Sequence, residues 1–163
     1  MNVEELMTRN VRTCGPEDRL SVAAQIMWER DCGCVPVIEP ANGAARVVGM
    51  LTDRDVCMAA YTQGRPLADI TVRSVMAKDV RACRCTDSID TAVRMLEENQ
   101  VHRLPVLDQA DHLIGLLSLA DIAGEAAREH AQGRKDVTDA QIAEALEAIT
   151  QPRQPGALAT TAA

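Results

Sequence analysis

Apolar and polar positions along this chain fall into two matching series. In the first, a lead-in over Asn2 to Met7 is followed by Val11 to Thr13, which predicts a short strand. Pro16-Glu17-Asp18 then opens a helix, with a proline and two acids suited to a first turn. Leu20, Ala23, Ala24 and Met27 follow at helical spacing until Asp31-Cys32-Gly33 ends the run. Val35 to Ile38 and Val47 to Leu51 are short apolar runs that predict strands, joined by a turn over Glu39 to Ala45. Thr52 starts a second helix that runs to about Tyr61, where Gln63-Gly64-Arg65-Pro66 breaks it. The second series repeats this order. Val80 to Ala82 is extended; Asp87 or Ser88 caps a helix carrying Ile89, Ala92, Val93 and Leu96 on one face, and Asn99-Gln100 ends it. Leu104 to Leu107 and Leu113 to Leu117 predict strands around a tight turn at Asp108 to Asp111, and Ser118 starts a last helix. Each series reads β-α-β-β-α, so the fold class is α+β: small sheets with helices on one face.

The two series are one unit written twice. An offset of 69 carries Met7 onto Met76, Val11 onto Val80, Cys14 onto Cys83, Ala23 onto Ala92 and Pro36 onto Pro105. Downstream the offset is 66, and Gly49-Met50-Leu51-Thr52-Asp53-Arg54-Asp55 returns as Gly115-Leu116-Leu117-Ser118-Leu119-Ala120-Asp121. The three extra residues of the first copy fall in the Pro/Asn/Gly loop Glu39 to Arg46, which marks a structural duplication. A unit of about 60 residues is marginal alone. The copies are therefore expected to pack sheet to sheet about a pseudo-twofold axis. The division expected is 1–66 for the first repeat, 67–128 for the second, and 129–163 for a C-terminal extension. In that extension Gly133 to Asp136 is a polar linker. Thr138-x-x-Gln141 is a capping-box pattern ahead of an apolar face, Ile142, Leu146 and Ile149, which makes this helix a candidate docking element. Gln151 to Ala163 has the composition of a disordered tail.

Composition narrows the function classes. With no Phe, one Trp and one Tyr in 163 residues, the core must be aliphatic, and stacking platforms for single-stranded nucleic acid are missing. A net charge of −7 argues against nucleic acid or an anionic membrane as partner. No apolar run reaches membrane-spanning length, and Met1 to Asn10, with two Glu, has no signal-peptide core, so a cytoplasmic location is expected. Six cysteines should then be reduced. Cys32-x-Cys34 and Cys83-x-Cys85 invite a metal site, but zinc sites more often space paired cysteines by two or more residues. Moreover, Cys32 and Cys34 align with Val101 and Arg103. No metal site is expected; a redox- or metal-responsive thiol sensor stays as an alternative. No nucleophile–base elbow, phosphate-binding loop or metalloprotease helix is present, and His102, His112 and His130 lack the company of a catalytic base. No enzyme and no catalytic cofactor are expected.

The motif that carries chemistry is Gly49-x-x-Thr52-x-x-Asp55, repeated as Gly115-x-x-Ser118-x-x-Asp121. As capping boxes with Asp for Glu, these need no ligand. As a site, a glycine allows close approach, a hydroxyl and carboxylate at a helix start can hold a ribose diol, and the helix amides favour phosphate. Both readings stand on the residues alone.

Together with "LMTRNVRT" and "VMAKDVRA", "CGCVPVIE" and "VHRLPVLD", and "GMLTDRDV" and "GLLSLADI", the motif makes residues 2 to 125 resemble a tandem pair of CBS domains, the Bateman module, in its small stand-alone bacterial form. The resemblance implies a regulatory module that binds AMP, ADP, ATP, NAD or S-adenosylmethionine, with adenine between aliphatic side chains. Carried over by position, it implies ribose contacts from Thr52, Asp55, Ser118 and Asp121. Val11, Thr13 and Val80 would line the purine pockets, with the residues just before Pro36 and Pro105. Arg54, His102 and Arg103 are the phosphate candidates. Thr13 maps to Ala82, Arg54 to Ala120 and Arg103 to Cys34, so unequal occupancy of two sites is expected. A homodimer through the helices is implied, with Trp28, the counterpart of Glu97, at its contact, and an unidentified protein partner is allowed. A structural dimer with vestigial sites is the other alternative.

Overall fold

The computed structural model describes residues 1–41, 44–131 and 137–151; the predicted linker and nearly all of the predicted tail lie outside these. In the first repeat, helix α2 (Leu20–Glu29) leads to strands β1 (Cys34–Ala41) and β2 (Ala44–Thr52) and helix α3 (Asp53–Gln63). The second has strand β3 (Cys83–Arg84), helix α4 (Ile89–Asn99), strands β4 (Arg103–Leu107) and β5 (Leu113–Ser118), and helix α5 (Leu119–Ala131). A short helix α1 (Val3–Leu6) precedes them and α6 (Asp139–Thr150) follows. β1 and β2 pair antiparallel with Cys34 opposite Thr52, and β4 and β5 with Arg103 opposite Ser118. Both hairpins shift register at the same place, Val37/Ile38 and Val106/Leu107. Thus the alignment of the two copies holds down to the bulge.

Three local expectations are corrected. Val11 to Thr13 is not a strand; only Cys14 makes an isolated parallel bridge, to Val37. Likewise the strand of the second copy is Cys83–Arg84, with Cys83 opposite Val106, rather than Val80 to Ala82. The first α2 turn also starts at Leu20 instead of Pro16, because Asp18 turns back to accept the Gly15 N–H at 2.7 Å. An Asp in that role closes a turn before the helix. Arg84 N–H and Asp87 repeat the arrangement at 2.7 Å.

The lead-in segments cross over. Val3 and Met7 are buried in the core of the second repeat, with Ile89, Leu96, Leu104 and Leu117. Ile70, Val72 and Met76, which precede the second repeat in sequence, are buried in the first, with Leu20, Val35, Val37 and Leu51. Hydrogen bonds seal both exchanges: Thr8 bridges Leu116, and Ala77 bridges Met50, at 2.9–3.0 Å in each direction. The pairs Asn2–Ser88 and Arg19–Thr71 are related in the same way. Here lies the reason for Gly49 and Gly115. A Cβ on Gly115 would stand 2.6 Å from Met7 Sδ and 3.1 Å from the Thr8 carbonyl oxygen. One on Gly49 would stand 2.6 Å from Met76 Sδ and 3.1 Å from the Ala77 carbonyl oxygen. The close approach that each glycine permits is made by the chain itself.

Helix α6 corrects a further expectation. Its apolar face is not free: Ala145 and Ile149 are buried and Ile142 half-buried against the second repeat, while Leu146 stays exposed. Thr138 caps it, accepting the Gln141 N–H at 3.3 Å.

Candidate functional site

The two motifs fold alike. Thr52 ends β2 in extended conformation and caps α3. Its backbone N–H and its hydroxyl both donate to Asp55 Oδ2, at 2.8 and 2.7 Å, and Asp55 N–H donates back to Thr52 Oγ1 at 3.2 Å. Ser118 and Asp121 do the same at 2.8, 2.6 and 3.1 Å. The capping interpretation therefore holds, and each hydroxyl hydrogen is spent on its own carboxylate. One consequence favours a site, however. Each cap fixes one carboxylate oxygen, and among the described residues Oδ1 of Asp55 and of Asp121 accepts no hydrogen bond. A carboxylate clamped through one oxygen is oriented to accept through the other.

A cleft of about 500 Å³ opens where the repeats meet. Thr8, Asn10, Val11 and Arg12 line it from the first lead-in, Arg30 and Cys32 from the α2–β1 connection, Cys34 from the start of β1, and Leu116 from β5. Leu116 and Ser118 share one face of β5, so the capped start of α5 belongs to the same side of the sheet. Val11 was singled out by sequence and lines the cleft; Thr13 is half-buried one turn of chain beyond it. Cys34 supplies the wall just before Pro36.

Charge is arranged unequally. Arg12 and Arg30 line the cleft, and among the described residues neither makes an ion pair. At the related positions of the other copy stand Arg81, paired with Asp79 at 2.7 Å, and Asn99. Arg103 is half-buried and crosses to the first repeat: a Cβ on Gly33 would lie 3.7 Å from its Nη2. It stands close enough to Cys34 to favour the thiolate there, although burial dominates and pushes that thiol up to about 11. Val80 is half-buried on the opposite, Arg81-bearing side. His102 is exposed and its carbonyl accepts the first amide of α5, from Leu119, at 3.1 Å. Arg54 is exposed at the start of α3, away from the cleft-lining set. Arg30 escaped the sequence reading because a basic residue at a helix C-terminus is explained by the dipole alone. Its counterpart, Asn99, gave no echo.

The cysteines divide by burial. Cys14 and Cys83, equivalent in the repeat, are pushed up to about 11 and about 12 by burial, and the nearby Asp18 and Asp87 add to it. Cys57 is exposed, and Cys32 and Cys85 are half-buried. Among the described residues no three His, Cys, Asp or Glu side chains gather as a metal site. A thiol titration of the native protein is expected to consume Cys57 first and Cys32 and Cys85 more slowly. Cys14, Cys34 and Cys83 should react only on unfolding; fast labelling of Cys83 in the folded state would contradict the packing described.

Comparison with known proteins settles the family. A profile of the CBS domain matches residues 3–61 and 72–128. The chain belongs to the CBS domain family. Over 122 residues it is 33% identical to the CBS domain-containing protein YhcV of Bacillus subtilis (strain 168), covering 75% of this chain and 83% of that one. Among solved structures, Hypoxic Response Protein I with two coordinated zinc ions is 30% identical with a TM-score of 0.67, covering 76% of this CBS chain and 98% of its own. The structure of CBSX2 in complex with AMP shares the fold, with a TM-score of 0.67 over 79% of this chain and 98% of that one, at 24% identity. In this CBS pair no helix of the described residues is long and apolar enough to cross a membrane.

Proposed function

We propose that this CBS pair is a non-catalytic regulatory module that binds an adenosine-containing ligand in the cleft between its repeats and signals through altered dimer or partner geometry. The observation that carries the proposal is the carboxylate of Asp121, clamped through one oxygen at the start of α5, just after a strand whose Leu116 lines a cleft with Arg12 and Arg30, neither of which makes an ion pair among the described residues. Val11, Cys34 and Leu116 give an apolar slot for a purine. Asp121 Oδ1 would accept the ribose hydroxyls. Arg12, Arg30 and Arg103, with the N-terminal amides of α5, would hold phosphate. That places AMP, ADP and ATP ahead of S-adenosylmethionine, whose sulfonium adds positive charge to a site already rich in it; NAD carries phosphate but must fit a second nucleoside. CBSX2 in complex with AMP, and the MJ0100 CBS pair in complex with 5'-methylthioadenosine and S-adenosylmethionine, support an adenosine-containing ligand as the class. The Asp55 side, with Arg81 neutralised by Asp79, would bind weakly.

Thermal shift with AMP, ADP, ATP, NAD and S-adenosylmethionine tests this. A ligand at 100 times its Kd adds about 2.7 kcal/mol, a shift of several degrees for a chain of this size. Asp121→Ala is expected to abolish the AMP shift and Asp55→Ala to leave most of it. Because Asp121 also serves its helix cap, the variant should melt lower without ligand, by about 1 kcal/mol, and the shift is read against its own baseline. No shift with any of the five, or two equivalent sites by calorimetry, would overturn the proposal.

A further inference from the structure

We propose that Cys32 and Cys34 close into a disulfide in the wall of the cleft when a hydroperoxide enters it, and that the closed pair weakens ligand binding there. The disulfide stands on the two thiols alone; its effect on a ligand rests on the nucleotide reading above.

Both cysteines line the cleft, and they are near enough for their charges to interact. Two residues of fully extended chain span about 6.6 Å between Cα atoms. That is already inside the roughly 4.4–6.8 Å that a disulfide bridges. The chain bends at Gly33, which brings the two closer still. Cys34 is 4% exposed and Cys32 half-buried, so a solute in the cleft meets the Cys32 sulfur first. By spacing alone Cys83-x-Cys85 is an equal case, and the structure separates the two. Neither Cys83 nor Cys85 lines the cleft. Cys83 Sγ donates to the Pro105 carbonyl at 3.8 Å. Cys85 is tied on both sides of its backbone, its N–H donating to Leu107 at 3.1 Å and its carbonyl accepting the Glu4 N–H at 3.0 Å. At the positions of Cys32 and Cys34 the second copy has Val101 and Arg103, so the first repeat alone carries the cleft pair.

The chemistry divides between the two sulfurs. Cys32, its proton given to solvent, attacks the outer oxygen of the hydroperoxide. The O–O bond breaks, and its electron pair leaves on the inner oxygen, which takes a proton from water in the open cleft. Charge passing from sulfur to oxygen stays beside Arg12 and Arg30, neither of which makes an ion pair among the described residues. Cys32 is then a sulfenic acid. The Cys34 sulfur attacks it, the S–O bond breaks, and hydroxide leaves with the Cys34 proton as water. Two thiols have lost two electrons and the peroxide has gained them. Burial holds the Cys34 proton on, with the thiol at about 11, and Arg103 beside it eases the loss at this second step. Closure takes Cys34 out of the slot that it forms with Val11 and Leu116. It also turns the Gly33 peptide, whose carbonyl accepts the Asp53 N–H, the first amide of α3, at 3.1 Å.

The test uses the full chain, with hydrogen peroxide as the probe, followed by unfolding, alkylation and mass spectrometry. The protein is expected to lose two of its six thiols. Both should go from the tryptic peptide Asp31 to Arg46, which holds Cys32 and Cys34 together and should appear unalkylated and two hydrogens lighter. A Cys83–Cys85 link would instead join two peptides, because trypsin cuts after Arg84. Cys34→Ser should stop at a sulfenic acid on Cys32 that dimedone captures. Cys32→Ser should keep every remaining thiol, and it decides the matter alone if Cys34→Ser fails to fold. The AMP thermal shift of the oxidised wild type is expected to fall by about half, as a roughly tenfold loss of affinity would give at the same AMP concentration, and dithiothreitol should restore it. Oxidation at Cys57 with the Asp31 to Arg46 peptide fully alkylated overturns the disulfide. A disulfide that forms while the AMP shift stays unchanged overturns its effect on the cleft. A reduced protein with no AMP shift counts against the nucleotide reading, since the peptide masses decide the disulfide.

Discussion

Gly115→Val is expected to cost about 3 kcal/mol of stability, and Gly115→Ala about 1–2 kcal/mol, though neither residue would touch a ligand. The first added carbon meets Met7 Sδ at 2.6 Å and the Thr8 carbonyl at 3.1 Å. Met7 has nowhere to retreat, being 7% exposed within the second core. The Thr8–Leu116 bridge holds the backbone to the strand, so relief must come from a rotamer change or from opening the bridge. Urea unfolding measures the loss. Combining Gly115→Ala with Met7→Ala should be less damaging than the sum of the two, by about 1 kcal/mol, because the second change removes the sulfur that the first collides with. Gly49→Ala should behave alike through Met76. A Gly115→Ala protein as stable as the wild type would show that the sulfur is not wedged there.

Alkaline pH is expected to unfold this protein well before its arginines titrate. Burial holds the Cys14, Cys34 and Cys83 thiols at about 11, 11 and 12 against an ordinary value of 9.0. The folded state keeps these protons where the unfolded chain has released them. Their contribution is thus complete below pH 9 and is lost as pH rises towards 11 and 12. Each thiol removes about 1.4 kcal/mol per pH unit in that window, so the three together approach 4 kcal/mol per unit. The loss ends once pH passes the folded values, so a domain in the lower half of the usual 5–15 kcal/mol range should fail within about two to three units above pH 9. Denaturation at pH 7 to 11 gives the slope. Cys14→Ala with Cys83→Ala should cut it to about a third; an unchanged slope would place the effect elsewhere.

Much of the fold was legible because the duplication supplied two independent copies of every signal. Gly64 and Gln100 both end helices in left-handed conformation, as the breaks after Tyr61 and at Asn99-Gln100 foretold. The repeated Thr52/Asp55 and Ser118/Asp121 pairs marked both helix starts. What failed was non-local. Val11 to Thr13 has the apolar pattern of a strand, yet only Cys14 finds a partner, since pairing depends on what lies alongside. Local pattern likewise could not say that Met7 belongs to the second core, nor that α6 lies on α4. Both depend on contacts between residues dozens of positions apart. At the site, the clamped carboxylates were read from spacing. Arg30 was not, because its role comes from the lead-in folded beside it.

The crossed lead-ins also set an order of birth. As the chain leaves the ribosome, residues 67–77 reach the waiting first repeat soon after β2 is made. The segment from Asn2 to Thr8, by contrast, emerges well before its partners Ser88 and Leu116 and is seated last. Thr8 must wait for Leu116, a gap of 108 residues, or about 5–20 s at ordinary rates of synthesis. Until then Val3 and Met7 remain adhesive, and on a crowded polysome a neighbouring nascent chain offers them the same berth.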